Sequence, residues 1–308
     1  MTAVTVRVPA KVNLQLAVGP AREDGYHDLV NVFHAVSLFD EVTVTAARPC
    51  AEWSLVRLTV DGQPGGDTTG VPRDATNLAA RAAHRLAAET GAGTPVNIQL
   101  SKRIPVAGGM AGGSADAAGA LVACNMLWGT GIDHDDLLAL AAELGSDVAF
   151  PLVGGTAVGT GRGEILTPVS SPGRYHWVFA LSSVGLSTAD VFAEYDRLRP
   201  HAPEPSGDTA LMSALASAEA HALGETLSND LEPAALSLRP DLRATLEAGR
   251  EAGALAAVVS GSGPTCAFLA RDGAGAARVA AALRESRHCE RAVTAHGDVP
   301  GATVVRGS

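Results

Sequence analysis

The stretch PVAGGMAGGSADAA, Pro105 to Ala118, lies where an extended run ends in glycines and a strong helix former begins. A junction of that kind is suited to anions. Gly108, Gly109, Gly112 and Gly113 can take φ > 0 and put no Cβ between the backbone N–H groups and a bound phosphate. Ser114, Asp116 and the alanines then open a helix, whose first N–H groups lack partners and whose dipole leaves about half a positive charge at that end. The plain alternative is a flexible linker followed by an unrelated helix. The β-branched run from Val96 to Leu100 on one side and unbroken helix formers to Trp128 on the other weigh against it.

The loop is neither of the two commonest nucleotide loops. A Walker A loop needs GxxxxGK followed by Ser or Thr, and no such string occurs. The spacing from Gly108 to Gly113 misses the GxGxxG dinucleotide fingerprint, as do GTGRG at Gly159 to Gly163 and GSGPT at Gly261 to Thr265. A single glycine loop is weak support for a function, so the remainder of the chain has to supply the chemistry.

At 308 residues, with 46% apolar and 18% charged residues, the chain is globular and long enough for two domains, one over 1–163 and one over 164–308. The opening MTAVTVRVPAK alternates like a strand and has no continuous apolar segment of the secretory kind, and Ala115 to Trp128 is too short and polar to span a bilayer. A soluble, cytoplasmic protein with no membrane partner is expected. A net charge of −10 excludes nucleic acid as the expected partner, because backbone binding needs a basic face. Cys50, Cys124, Cys266 and Cys289 are far apart and read as reduced thiols, not as a metal site.

In so acidic a chain an anionic substrate must be held by local positive groups. Only Lys11 and Lys102 are lysines among 23 basic residues, one inside the apolar run Val8 to Leu16 and one just ahead of the glycine loop. An ammonium is a compact charge with three donors, which guanidinium is not. Lys102 stays open between solvated surface and anion contact.

In order, strands are expected at Thr5–Val8 and Val12–Val18, joined through Pro9-Ala10-Lys11, then at Leu29–Leu38, Glu41–Thr45 and Trp53–Val60. Thr76 suits the N-cap of a helix that Gly91 stops; Pro95–Leu100 is the strand feeding the central loop; Asp133 caps a helix that ends at Gly145. In Ser146-Asp147-Val148-Ala149-Phe150-Pro151, either Ser146 or Asp147 caps a short helix or Asp147 is used chemically, since an aspartate in an apolar run is costly to bury unpaired. Gly154–Gly163 marks the expected boundary. Beyond it come strands at Ile165–Val169 and Trp177–Leu181, helices at Thr188–Leu198, Thr209–Ala222 and Asp241–Ala252, strands at Leu255–Ser260 and Cys266–Ala270, a helix at Gly275–Arg284, and a strand near Thr303. That content is an α+β protein of two layered halves.

Three strings stand in order: Pro9-Ala10-Lys11-Val12-Asn13-Leu14, Pro105 to Ala118, and Gly261-Ser262-Gly263-Pro264-Thr265-Cys266-Ala267-Phe268. Together they resemble the three signature motifs of the GHMP small-molecule kinases. The resemblance implies a two-domain fold, with an N-terminal domain of ribosomal-protein-like βα topology, a C-terminal ferredoxin-like α/β layer, and the active site between them. It implies ATP as phosphate donor and Mg2+ as its ion, with phosphoryl transfer relying on positioning and charge neutralisation. Pro105, Val106, Ala107, Gly108, Gly109, Met110, Ala111, Gly112, Gly113, Ser114 and Ala115 would hold the ATP phosphates, with Ser114 near the metal. Asp147 would take the proton of the accepting hydroxyl, and Lys11 would stand beside it and offset charge on the transferred group. Asn13, two residues along the strand from Lys11, would contact substrate.

Gly25-Tyr26-His27 and Leu144-Gly145-Ser146-Asp147-Val148 resemble the branch of that family whose substrate is a cytidine diphosphate alcohol. A cytosine needs flat partners and edge hydrogen bonds, so Tyr26, His27, Phe33 and, from the second half, Phe192 or Tyr195 are its implied contacts. His27 read alone is more commonly a satisfied loop histidine, and Phe33 and Phe192 are equally core. A kinase of homoserine or mevalonate would need no such pocket. A monomer or weak homodimer is expected. The chain departs from the family pattern at Ala111 and Ala115, where glycine and serine are usual; Ala111 implies a negative φ or a shifted loop, and Ala115 leaves Ser114 as the single hydroxyl there.

Overall fold

The structure is a computed structural model that describes residues 3–48, 55–63, 68–106, 108–182 and 184–305. Cys50, Trp53 and Ala107 lie outside the described residues. The elements in chain order are β1 (Ala3–Ala21), β2 (His27–Ala46), β3 (Val56–Gly62), α1 (Leu78–Thr90), β4 (Val96–Lys102), α2 (Gly112–Trp128), α3 (His134–Leu144), α4 (Phe150–Val153), β5 (Thr156–Thr160) and β6 (Ile165–Val169). There follow β7 (Tyr175–Leu181), α5 (Thr188–Leu198), α6 (Thr209–Ser217), α7 (Ala220–Thr226), β8 (Ser228–Asn229), α8 (Glu232–Leu238), α9 (Leu242–Glu251), β9 (Ala256–Val259), β10 (Cys266–Ala270), α10 (Gly273–Ser286), β11 (Arg291–Gly297) and β12 (Thr303–Val305).

The first sheet runs β12-β1-β2-β4-β3, with β5 added on β2, β6 on β5 and β8 on β1. β1 and β2 form one long antiparallel pair, where four shorter strands were expected. Register shifts at Pro9/Ala10, Asn13/Gln15 and Val18/Ala21 let the pair bend without breaking, so proline and polar residues interrupt the pattern but not the strand. Along β1 the even positions Val4, Val6, Val8, Ala10, Val12 and Leu14 enter the core, each large aliphatic stabilising by about 1.5–3 kcal/mol on burial. The odd positions Lys11, Asn13 and Gln15 face the other way.

Helix α2 lies on β1 and β2 and beside α1. Its alanines and glycines let it approach closely: a Cβ on Gly119 would sit 2.7 Å from a Val42 methyl. A helix buried on most sides is apolar all round, as this one is. The N-cap of α1 is Asn77, not Thr76, because the Asn77 side chain accepts from Ala79 N; Gly91 ends the helix at φ 65°.

The second sheet, β11-β7-β10-β9, is antiparallel. Alternation along β7 divides it between two cores: Tyr175, Trp177, Phe179 and Leu181 face the first domain, while Val178 and Ala180 pack with Phe268, Leu246 and Leu283 beneath α9 and α10. β6 belongs to the first sheet and β12 returns to it. The change of sheet therefore falls between Val169 and Tyr175, past the expected division after Gly163, and we propose the domain boundary there. Half of the glycine-rich Gly154–Gly163 is β5 (Thr156–Thr160), a paired strand and not a linker. Ala218 in the left-handed region splits the expected Thr209–Ala222 helix in two.

Among the described residues no helix is long and apolar enough to cross a membrane. Cys124, Cys266 and Cys289 are free, and burial pushes the Cys124 thiol up to about 12.

Candidate active site

The odd face of β1 puts two motif residues in one cleft. Lys11, 4% exposed, donates from Nζ to Asn13 Oδ1 at 2.7 Å, and Asn13 Nδ2 donates to Asn31 Oδ1 on β2 at 2.7 Å. The ammonium stands 3.6 Å from Asp147 Oδ2. Asp147 lies in the turn between α3 and α4. The N-cap of α4 is Ala149, with no side-chain cap bond, so the alternative of a capping Ser146 or Asp147 does not hold. A carboxylate beside a buried ammonium at a cleft wall can accept a proton from a bound hydroxyl while the ammonium offsets negative charge.

Pro105, Gly108, Gly109, Ala111, Gly112, Gly113 and Ser114 line the same cleft, with the start of α2 opening into it. Of the four loop glycines only Gly109 uses the left-handed region, at φ 70°. A Cβ there would strike the Ser260 carbonyl, and Ser260 Oγ donates to Gly109 O at 3.1 Å. The turn Gly261–Gly263 thus abuts the glycine loop and itself lines the cleft. Met110 and Ala115 are buried and Val106 is half-buried, so these three support the loop from behind; Met110 O accepts Lys11 N at 3.3 Å.

Ala111 has φ 59°, contrary to the negative φ expected from an alanine. The loop keeps the backbone that glycine would prefer and carries the Cβ strain, about 1–2 kcal/mol. Ala111→Gly is therefore expected to raise unfolding stability by about 1 kcal/mol. Urea denaturation of the two proteins checks this; a lower midpoint would mean that the alanine methyl is favourably packed.

Lys102 is neither solvated nor in the cleft. Its Nζ pairs with Asp40 and, at 2.5 Å, with Asp116 Oδ2, and it also donates to Gly112 O at 3.3 Å. Asp40 in turn accepts the N–H groups of Arg103 and Ile104. This buried cluster ties the end of β4 to the first turn of α2. Burial pushes the Asp116 carboxyl up to about 7, against the pull of Lys102.

At the far end of the cleft, His27 Nε2 meets Asp196 Oδ1 at 2.8 Å, and its ring lies 4.8 Å from that of Phe192. Tyr26 is 51% exposed, with the Arg162 guanidinium 5.1 Å from its ring centre. Tyr26, His27 and Phe192 line the cleft, whose volume is about 980 Å³. Tyr195 is in the core, bonded through its hydroxyl to Val18 O, and Phe33 is fully buried with its ring 4.9 Å from Phe150. Phe33 is thus a wall beneath Lys11, 5.8 Å from Nζ, and not a flat partner for a base.

Sequence reasoning missed Asn31, Asp196 and Arg162. Asn31 sits in an apolar run, the signal that singled out Lys11, and Asp196 follows Phe192 by one helical turn on α5.

Comparison with known proteins matches residues 77–155 to a family model described as GHMP kinases N terminal domain, and residues 211–288 to one described as GHMP kinases C terminal. The chain is 65% identical to a 4-diphosphocytidyl-2-C-methyl-D-erythritol kinase of Thermobifida fusca (strain YX), over 99% of each chain. It is 58% identical to the enzyme of that name from Streptomyces coelicolor, over 98% of this chain and 99% of that one. A crystal structure of 4-(cytidine 5'-diphospho)-2C-methyl-D-erythritol kinase matches with a TM-score of 0.75 and 34% identity, over 95% of this chain and 98% of that chain.

Proposed function

The chain belongs to the GHMP kinase family, and from that premise we propose that it transfers the γ-phosphate of ATP to the 2-hydroxyl of 4-diphosphocytidyl-2-C-methyl-D-erythritol, in the non-mevalonate route to isoprenoid precursors, in the cytoplasm. The observation that carries this is one cleft with the Lys11–Asp147 pair and the start of α2 at one end and Tyr26, His27 and Phe192 at the other.

Bound ATP supplies the phosphoryl group, and Mg2+ supplies charge that screens its oxygens. The backbone N–H groups from Gly108 to Ser114 fit the phosphates, because the loop presents amides and a helix start and no side chain larger than a methyl or hydroxymethyl to the cleft. Among the described residues no trio of His, Cys, Asp or Glu could hold a metal. That suits an ion which takes most of its ligands from phosphates and water, with the Ser114 hydroxyl as the chain's own oxygen.

Asp147 orients the substrate hydroxyl and receives its proton. Lys11, fixed by Asn13, keeps its ammonium between that carboxylate and the loop, where negative charge grows during transfer. Asn13 and Asn31 offer amide groups to the polyol. Tyr26 and Phe192 give the cytosine its flat contacts, and His27, held by Asp196, is placed near the base edge.

Initial rates with the cytidine diphosphate alcohol, homoserine and mevalonate test the assignment. The expected kcat/KM favours the first by more than about a hundredfold; equal rates, or a preference for either small alcohol, would overturn it. Tyr26→Ala is expected to raise the KM for the cytidine substrate roughly 10- to 100-fold, as loss of a base–aromatic stack does, with the KM for ATP within about twofold. Equal changes in both constants would take Tyr26 out of the base pocket.

A further inference from the structure

The cleft has to receive a triphosphate and a diphosphate in a chain of net charge −10. Its described lining carries two permanent cations, Lys11 and Arg162, against two carboxylates, Asp147 and Asp196. Lys11 is committed to Asp147 and Asn13 at the reacting end. The triphosphate has the loop amides and the α2 dipole. The diphosphate of the alcohol has neither, and it must lie between the base and the hydroxyl that reacts.

Arg162 occupies that middle ground. It stands at the tip of the β5–β6 hairpin. The tip is pinned by Gly163 N donating to Thr160 O at 3.0 Å, Leu29 N to Gly161 O at 2.7 Å, and Arg162 N to Glu164 Oε2 at 2.7 Å. On one side the guanidinium lies against Tyr26, at the base end. On the other the tip adjoins the Asp147 turn: a Cβ on Gly163 would be 3.9 Å from Ser146 O. The guanidinium meets Glu164 only through Nε, at a slack 3.5 Å, and the side chain is about a third exposed. Among the described residues its outer nitrogens make no hydrogen bond, and they can meet an oxyanion in the planar fork that suits phosphate oxygens.

We propose that Arg162 binds the diphosphate of the alcohol substrate, and so selects for a nucleoside diphosphate ester over a free alcohol. The assignment rests on the function argued above and adds a specificity-determining residue to it. Its guanidinium covers one face of Tyr26 while the other face takes the cytosine, so a single turn sets both base and diphosphate.

Calorimetric binding of CDP and of cytidine to wild type, Arg162→Ala and Arg162→Lys tests this without turnover. In wild type CDP is expected to bind at least about tenfold tighter than cytidine, the scale of charge-assisted hydrogen bonds at a partly exposed site. In Arg162→Ala that ratio is expected to fall to about one to two, with cytidine affinity within twofold, and Arg162→Lys to lie between. A wild-type ratio near one, or a ratio that survives in Arg162→Ala, would overturn the proposal. So would equal weakening of both ligands, which would make Arg162 only a prop for Tyr26. Wild-type turnover of the diphosphate alcohol, measured on the same preparation, reports on the kinase assignment separately, because the CDP-to-cytidine ratio stands whether or not that alcohol is phosphorylated.

Discussion

Asp147→Asn is expected to bind ATP within about twofold of wild type and to lose about 10²- to 10⁴-fold in turnover, the range that a positioned general base contributes. Asparagine keeps the shape of the side chain and a carbonyl oxygen to face Lys11 but cannot take up the hydroxyl proton. The glycine loop does not depend on Asp147: its anchors are Ser260 Oγ on Gly109 O and Lys11 N on Met110 O. Titration calorimetry with ATP and coupled ADP release separate the two effects. Turnover equal to wild type would remove Asp147 from the mechanism; lost ATP binding would place it among the phosphate contacts.

Lys102→Met is expected to cost about 3–5 kcal/mol of folding stability, because it leaves Asp40 and Asp116 buried without their cation. That is a large share of the roughly 5–15 kcal/mol typical of folded domains. The loss depends on pH. The Asp116 carboxyl, raised from 3.8 to about 7, binds its proton more tightly folded than unfolded, so its contribution is fullest in acid and falls as pH climbs through that range. Removing Lys102 removes the attraction that lowers this value, and ionising Asp116 becomes harder. The variant should therefore lose most stability at about pH 8 and least at about pH 5. Urea midpoints at the two pH values check the sign; a loss that is larger in acid would mean that the cluster is not held together by its lysine.

Local chemistry made much of the fold legible. Asp133 capping α3, Gly91 ending α1 and the glycine run opening α2 are each decided by a few neighbouring residues. Long-range pairing was not legible. Pro9 and Lys11 look like a break between two strands, yet the partner β2 holds β1 continuous through a bulge. Gly154–Gly163 has linker composition, but β2 recruits it as β5.

The site divides in the same way. Lys11 and Asp147 stood out as charges in apolar runs, which burial alone makes costly, and the fold pairs them. Lys102 stood out only as the other lysine and meets two aspartates 62 and 14 residues away in the chain, and no local pattern distinguishes a structural cation from an anion-binding one. Phe33 and Phe192 were alike as isolated aromatics. The pleat of β2 buries the first, and the exposed face of α5 turns the second to the cleft.

Whether the cleft moves a phosphoryl group onto a substrate hydroxyl is read by ³¹P NMR of wild type with ATP and 4-diphosphocytidyl-2-C-methyl-D-erythritol. A new phosphomonoester resonance is expected to grow in step with ADP while the diphosphate signals of the substrate persist. ADP accompanied only by inorganic phosphate, or an unchanged spectrum, would contradict it.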